Sequence, residues 1–172
     1  GLVQWQMRPF KDIDAFYEQV EFFVNVMGAY KSDFVLFPEL FNTPLLAPFN
    51  HLSERESMIE LAKLTNDIKK KISDLAISYN VNIISGSMPL FENNDLYNVS
   101  YLLHRDGRID EYRKIHITPN ERKYYGMKGG NEIKTFDTDC GKIGLVICYD
   151  VEFPELPRIL ADQGMKLLFV PY

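Results

Sequence analysis

Cysteine is scarce in this chain, and several features that mark secreted or membrane proteins are missing. Its 172 residues include two cysteines, Cys140 and Cys148, which are too few for a disulfide framework or a metal knuckle. No stretch approaches the roughly 18 apolar residues that a membrane span needs. The first residues lack the charged and then apolar layout of a secretion signal. We therefore expect a reduced, cytoplasmic compartment and no membrane partner.

The chain also has no excess of positive charge. Lysine and arginine number 19 against 24 aspartates and glutamates, which gives a net charge of −5. Proteins that bind nucleic acid or anionic membranes through their general surface charge have the opposite balance. No cluster of residues has the spacing of metal ligands, so we expect neither a metal nor a cofactor. With 46% hydrophobic residues, the composition predicts one globular domain over residues 1–172.

Hydrophobic periodicity predicts alternating strands and helices. Asp12 is a predicted helix N-cap, and Ser53 with Glu56 forms a predicted capping box. The dipeptide Asp106-Gly107 predicts a hairpin turn, and a second turn is expected at residues 139–141. The predicted strands cover residues 2–7, 34–37, 81–87, 99–104, 109–112, 143–147 and 167–170. This order predicts an α/β fold with a mixed sheet whose helices cover one face.

Three side chains that could carry chemistry stand within two residues of a predicted strand end. They are Glu39, Lys114 and Cys148. Ligand sites in α/β folds lie at the ends of sheet strands, so the three residues are candidates for one site.

Cys148 is the candidate nucleophile of this group. Its thiol has an ordinary pKa near 8.5, so only a few per cent is thiolate at neutral pH and a base is needed. The alternative is a buried cysteine that packs as a small hydrophobe, which is the usual role of a lone cysteine. The three histidines, among them His116, have no context that marks one of them as the base.

A carboxylate and an ammonium group could activate this thiol. Glu39 stands in apolar sequence, where burial would make its carboxylate a stronger proton acceptor. Lys114 could stabilise an oxyanion and hold the other two side chains in register. The alternatives are a loop carboxylate that caps nearby amides and a solvated lysine.

The sequences around these residues resemble the nitrilase superfamily of carbon–nitrogen hydrolases. The matching motifs are at residues 37–39 (Phe-Pro-Glu), 112–116 (Tyr-Arg-Lys-Ile-His), 147–150 (Ile-Cys-Tyr-Asp) and 153–155 (Phe-Pro-Glu). Their order and their positions at strand ends make the resemblance specific, and it extends over the whole chain. It implies an α-β-β-α sandwich that associates as a homodimer or larger oligomer. The family domain is longer than this chain, so we expect the C-terminal part to be missing.

The resemblance also implies a role for each matching residue. Glu39 would be the general base, Lys114 the oxyanion stabiliser and Cys148 the nucleophile. Glu121 fits an auxiliary glutamate that orients Lys114 or the substrate, and the backbone N–H of Tyr149 would complete the oxyanion hole. Tyr125 and Phe153 are expected to line the substrate pocket.

The leading hypothesis is therefore a thiol-dependent hydrolase of a non-peptide carbon–nitrogen bond in a small-molecule amide, carbamoyl compound or nitrile. One alternative is an acyltransferase on the same scaffold. Another is a non-catalytic α/β module in which Cys148 is a structural or redox thiol. Some relatives with similar motifs are fused to an acetyltransferase domain, so the full-length protein could carry one.

Overall fold

The computed structural model describes all residues from 1 to 172 and contains four α-helices and eight strands. The helices are α1 (Ile13–Ala29), α2 (Glu54–Lys63), α3 (Thr65–Ser78) and α4 (Glu155–Asp162). The strands are β1 (Phe34–Leu36), β2 (Asn82–Ile84), β3 (Met88–Glu92), β4 (Asp95–Leu103), β5 (Ile109–Arg113), β6 (Phe136–Thr138), β7 (Gly141–Leu145) and β8 (Leu167–Phe169). The side chain of Asp12 caps α1, and the Ser53–Glu56 capping box opens α2, as predicted.

The strands form two mixed sheets. In the larger sheet β1 lies parallel to β2, and the long strand β4 pairs antiparallel with β2, β3 and β5. In the smaller sheet β7 pairs antiparallel with β6 and parallel with β8. The predicted hairpin at Asp106-Gly107 joins β4 to β5, and Gly107 supplies the positive φ that the turn requires.

Four layers result from the way these sheets bury their faces. Adjacent residues of β2 point in opposite directions, so Ile83 belongs to the core shared with α1, α2 and α3 while Ile84 belongs to the core of the smaller sheet. Leu156 and Leu160 of α4 cover the smaller sheet. The fold is an α-β-β-α sandwich, which confirms the mixed α/β class. Helices on one face of a single sheet were expected, and this is wrong for α4, because it packs on a second sheet.

The predicted strand over residues 2–7 is wrong beyond its start. Leu2 makes one parallel bridge to Leu36, and the N–H of Val3 donates to the Leu36 carbonyl. The chain then leaves the sheet because Trp5 packs into an aromatic cluster on the helix side, in contact with Phe16 and four further rings.

The strand β3 was not predicted. It contains Pro89, which lacks an N–H and lowers strand propensity, so the pattern looked irregular. Its hairpin to β4 turns at Asn93 and Asn94, which both have positive φ. Two consecutive asparagines fit a type I′ turn, and this is the signal that could have revealed the strand.

Candidate active site

Glu39 lies on a tight loop just beyond β1. The loop is held by Ser87, whose Oγ accepts a hydrogen bond from the Leu40 N–H at 2.9 Å. Gly86 has a φ of 67°, and a Cβ at this position would collide with the carbonyl oxygen of Pro38. The close approach of these two backbone segments therefore requires glycine and directs the Glu39 side chain, which is 17% exposed, toward the sheet end.

Lys114 is the buried cation at the centre of the site. Its side chain is 1% exposed, and its Nζ lies 2.7 Å from Glu39 Oε1 and 2.8 Å from Glu121 Oε2. Burial by itself would lower the pKa of Lys114, but the two carboxylates outweigh that effect and raise it. The lysine is therefore charged, and two of its three N–H donors are already occupied.

Glu121 stands on a single turn of π-helix, Glu121–Tyr125, after β5. Its Oε2 also accepts the N–H of Thr118 at 2.9 Å, and its own N–H donates to the Thr118 hydroxyl. Burial would raise the pKa of Glu121, but hydrogen bonds and the charge of Lys114 lower it. Glu121 is thus a fixed anion beside Lys114.

Cys148 follows β7 at a turn with strained backbone. Its φ of 44° is in the left-handed region, which is unusual for a residue with a side chain and typical of functional sites. Its N–H donates to the Pro171 carbonyl at 2.8 Å, which ties the turn to the end of β8.

The other site residues affect the pKa of the Cys148 thiol. Burial and then the negative charge and hydrogen bonding of Glu39 raise the pKa of Cys148 to about 11. Lys114 and the backbone N–H of Tyr149 act in the opposite direction on the same pKa. The structure therefore brings Glu39, Lys114, Cys148 and the Tyr149 N–H together, and the sulfur is a protonated thiol at neutral pH.

The sequence analysis missed Asn98, which lies at the centre of the same cluster. It is fully buried on β4, and its Nδ2 contacts both Glu39 and Glu121. Only the register of β4 beside β5 brings Asn98 next to the Lys114 strand end, so no local sequence signal marks it.

The sequence analysis also missed Asp150 as a structural residue. Its fully buried carboxylate accepts the Tyr112 hydroxyl at 2.8 Å, the His116 N–H at 2.7 Å and the Ile147 N–H at 3.2 Å. Two of these donors, Tyr112 and His116, stand on either side of Lys114 in the chain. The third, Ile147, directly precedes Cys148. Asp150 thus links the segment that carries the lysine to the turn that carries the cysteine.

Replacing Asp150 with asparagine should lower the free energy of unfolding by about 2–4 kcal/mol. An asparagine has one acceptor oxygen, so its NH₂ group would face N–H and O–H donors that are now satisfied. The measurement is urea unfolding followed by circular dichroism. The matched control is Asp137→Asn, because Asp137 is exposed and its one ion pair, with Lys142 at 3.7 Å, lies at the surface. This control should change the free energy of unfolding by less than about 0.5 kcal/mol. Equal stability of the two variants would contradict the linking role of Asp150.

The two residues expected to line one substrate pocket face different cavities. Phe153 stacks on the His116 ring at 3.5 Å and lines a cavity of about 450 Å³ together with Tyr149 and Arg122. Tyr125 lines another cavity, of about 310 Å³, beside Met58 and other residues of α2. The structure therefore does not bring Tyr125 and Phe153 together.

Neither a metal site nor a membrane segment is evident. No three His, Cys, Asp or Glu side chains are grouped so that they could hold a metal ion. None of the helices has the length and apolar character required to cross a bilayer.

The fold and the sequence together define a class of protein. The α-β-β-α sandwich is that of the nitrilase superfamily, and the sequence profile of the Carbon-nitrogen hydrolase family matches residues 1–172. The chain belongs to this family.

Several curated relatives are similar to the chain. It is 44% identical to the "Probable hydrolase YhcX" of Bacillus subtilis over 171 residues, which cover 99% of this chain and 33% of the relative. It is 32% identical to the human "Omega-amidase NIT2" over 158 residues, which cover 87% of this chain and 54% of the relative. The chain thus spans between a third and about half the length of these relatives.

Solved structures show the same fold. A carbon–nitrogen hydrolase from Helicobacter pylori superposes with a TM-score of 0.82 at 24% identity, over 99% of this chain and 57% of the other. Nit3 of Saccharomyces cerevisiae, described as a member of branch 10 of the nitrilase superfamily, gives a TM-score of 0.75 at 26% identity, over 99% of this chain and 62% of the other.

Proposed function

We propose that the chain carries the active site of a thiol amidohydrolase that cleaves a linear amide through a Cys148 thioester. The observation that supports this most is the buried Lys114 ammonium, held between the carboxylates of Glu39 and Glu121 beside the Cys148 thiol. A buried cation with two fixed anions and a strained cysteine is costly to maintain as a purely structural feature.

The proposed acylation step begins with the neutral thiol. Glu39 accepts the Cys148 proton as the sulfur attacks the carbonyl carbon of the amide. The new oxyanion receives the free third N–H of Lys114 and the backbone N–H of Tyr149. Protonated Glu39 then gives its proton to the leaving nitrogen, the carbon–nitrogen bond breaks, and ammonia or an amine departs from the thioester.

The proposed deacylation step uses the same groups in the same order. Glu39 takes a proton from a water molecule as the water oxygen attacks the thioester carbonyl. The oxyanion again forms between Lys114 and Tyr149, and its collapse releases the acid. The departing sulfur recovers the proton from Glu39, which restores the starting state.

Relatives supply the first substrates to try. Among them are enzymes named omega-amidase and a "2-oxoglutaramate amidase" of Bacillus subtilis, which is 30% identical over 155 residues. Short amides that also carry a free carboxylate are therefore the first candidate substrates. Ureido acids and nitriles represent the carbamoyl and nitrile alternatives.

Ammonia release from a panel of these three classes tests the proposal with the intact protein. We expect ammonia and free acid in equal amounts from at least one linear amide, and no release by Cys148→Ala. Formation of a new amide from an added amine in place of the acid would favour the acyltransferase alternative. Absence of turnover on every class, with no covalent adduct on Cys148, would leave the non-catalytic module as the better description.

A further inference from the structure

One buried amide on β4 contacts both carboxylates of the site. The Nδ2 of Asn98 donates to Glu39 Oε1 at 2.9 Å and to Glu121 Oε1 at 3.0 Å. The reverse orientation of the amide would place Oδ1 against two anions, so the donor orientation is the chemically consistent one. We propose that Asn98 is a positioning residue that fixes both carboxylates around Lys114 and selects the oxygen of Glu39 that acts as the base. This proposal rests on the thiol-hydrolase function above.

The contacts form a closed ring of four side chains. Lys114 bonds Glu39 Oε1 and Glu121 Oε2, while Asn98 bonds Glu39 Oε1 and Glu121 Oε1. Glu39 Oε1 thereby accepts two hydrogen bonds, which occupy its two lone pairs. Glu39 Oε2 is left for the thiol proton, so the ring determines which oxygen takes part in the reaction.

The other end of the amide is unsatisfied. Asn98 Oδ1 is buried and has no hydrogen-bond partner. An unsatisfied buried acceptor destabilises a fold, and an apolar side chain of similar shape would avoid that cost. A polar residue that is unfavourable for folding and yet bonded to two charged groups is typical of a functional site.

The hydrogen bond from Asn98 also favours the ionised form of Glu121. Together with Lys114 and Thr118, Asn98 lowers the pKa of Glu121 against the effect of burial. Removing a donor from a carboxylate favours its protonated form, so Glu121 should protonate at higher pH without Asn98.

The test compares Asn98→Leu with Ser100→Ala in the intact protein. Ser100 is the matched control because it is buried on the same face of β4, two residues away, and its Oγ has no partner to lose. For Asn98→Leu we expect kcat to fall about 100-fold, with KM changed less than about threefold. Because Glu121 must stay ionised to hold Lys114, the acidic limb of the kcat/KM profile should move to higher pH. Ser100→Ala should leave all three quantities as in the wild type.

A second variant, Asn98→Ser, keeps the proposal testable if Asn98→Leu folds poorly. Asn98→Ser keeps one donor, so its pH shift should lie between those of wild type and the leucine variant. An acidic limb that stays in place in both variants would overturn the proposal, because a residue that only supports the fold lowers the amount of active protein without moving the pH profile.

Stability at two pH values gives a readout that does not depend on turnover. A carboxylate with a lowered folded-state pKa, as in Glu121, contributes stability above its unfolded pKa that is lost as pH falls. Asn98→Leu weakens this lowering, so it should lose less unfolding free energy between pH 7 and pH 3 than Ser100→Ala does. Equal losses would overturn the proposal. A smaller loss in a protein that hydrolyses no amide would contradict the proposed function and still support the role of Asn98 toward the carboxylates.

Discussion

Replacing Cys148 with alanine is expected to abolish turnover, with a loss of about 10⁶-fold to the background rate. The alanine variant removes the only group that can form the proposed thioester. Cys148→Ser should retain very little activity, since a hydroxyl is a much weaker nucleophile with the same base. The measurement is ammonia release, with mass spectrometry of the intact protein to detect the acyl adduct.

Cys140→Ala is the matched control for this experiment. Cys140 is exposed at the turn between β6 and β7, where its sulfur contacts the Arg105 guanidinium and not the site. The control should keep wild-type activity and form the adduct on Cys148. Full activity of Cys148→Ala, or an adduct that maps to Cys140, would remove the proposed mechanism.

The ionisation of Cys148 supplies an independent check. Burial and the charge of Glu39 raise the pKa of Cys148 to about 11, so its thiolate is a minor species at neutral pH. Direct alkylation of Cys148 by iodoacetamide should therefore accelerate steadily from pH 7 to pH 10, as the thiolate fraction grows. A rate that is constant over this range would mean that the sulfur is already a thiolate and needs no base.

The two glutamates should behave differently when each is replaced by glutamine. Glu39→Gln removes the base in both steps, so we expect turnover to fall by about 100- to 10,000-fold, with no product burst and no adduct on Cys148. Glu121→Gln should still acylate Cys148, more slowly, because Glu121 orients Lys114 and takes no proton itself. The glutamine NH₂ would then oppose the Lys114 ammonium or the Thr118 N–H, which distorts the site.

Mass spectrometry after mixing each variant with a good substrate distinguishes these outcomes. Each glutamine variant is a near-isosteric control for the other, since both lose one carboxylate that contacts Lys114. If Glu39→Gln acylates at the wild-type rate, Glu39 is not the base. The role would then pass to Glu121 or to His116, whose Nδ1 lies 3.0 Å from Asp150.

Local signals predicted much of the fold. The cap at Asp12, the Ser53–Glu56 box and the hairpin at Asp106-Gly107 each act within a few residues, so the sequence reveals them directly. The motifs around Glu39, Lys114 and Cys148 were enough to identify the family. Oligomeric state, a fused domain and the cytoplasmic location stay predictions.

The sequence by itself marked Glu39, Lys114 and Cys148 as candidates for one site and predicted that each lies near a strand end. The tertiary structure alone decided how those groups are held, because hydrogen-bond partners far apart in the chain depend on strand register. Asn98 is 59 residues from Glu39, and Asp150 is 34 residues from His116, yet each pair is in direct contact. The protonated state of Cys148 is also a tertiary property, since it results from burial and from the charge of Glu39, neither of which a motif contains.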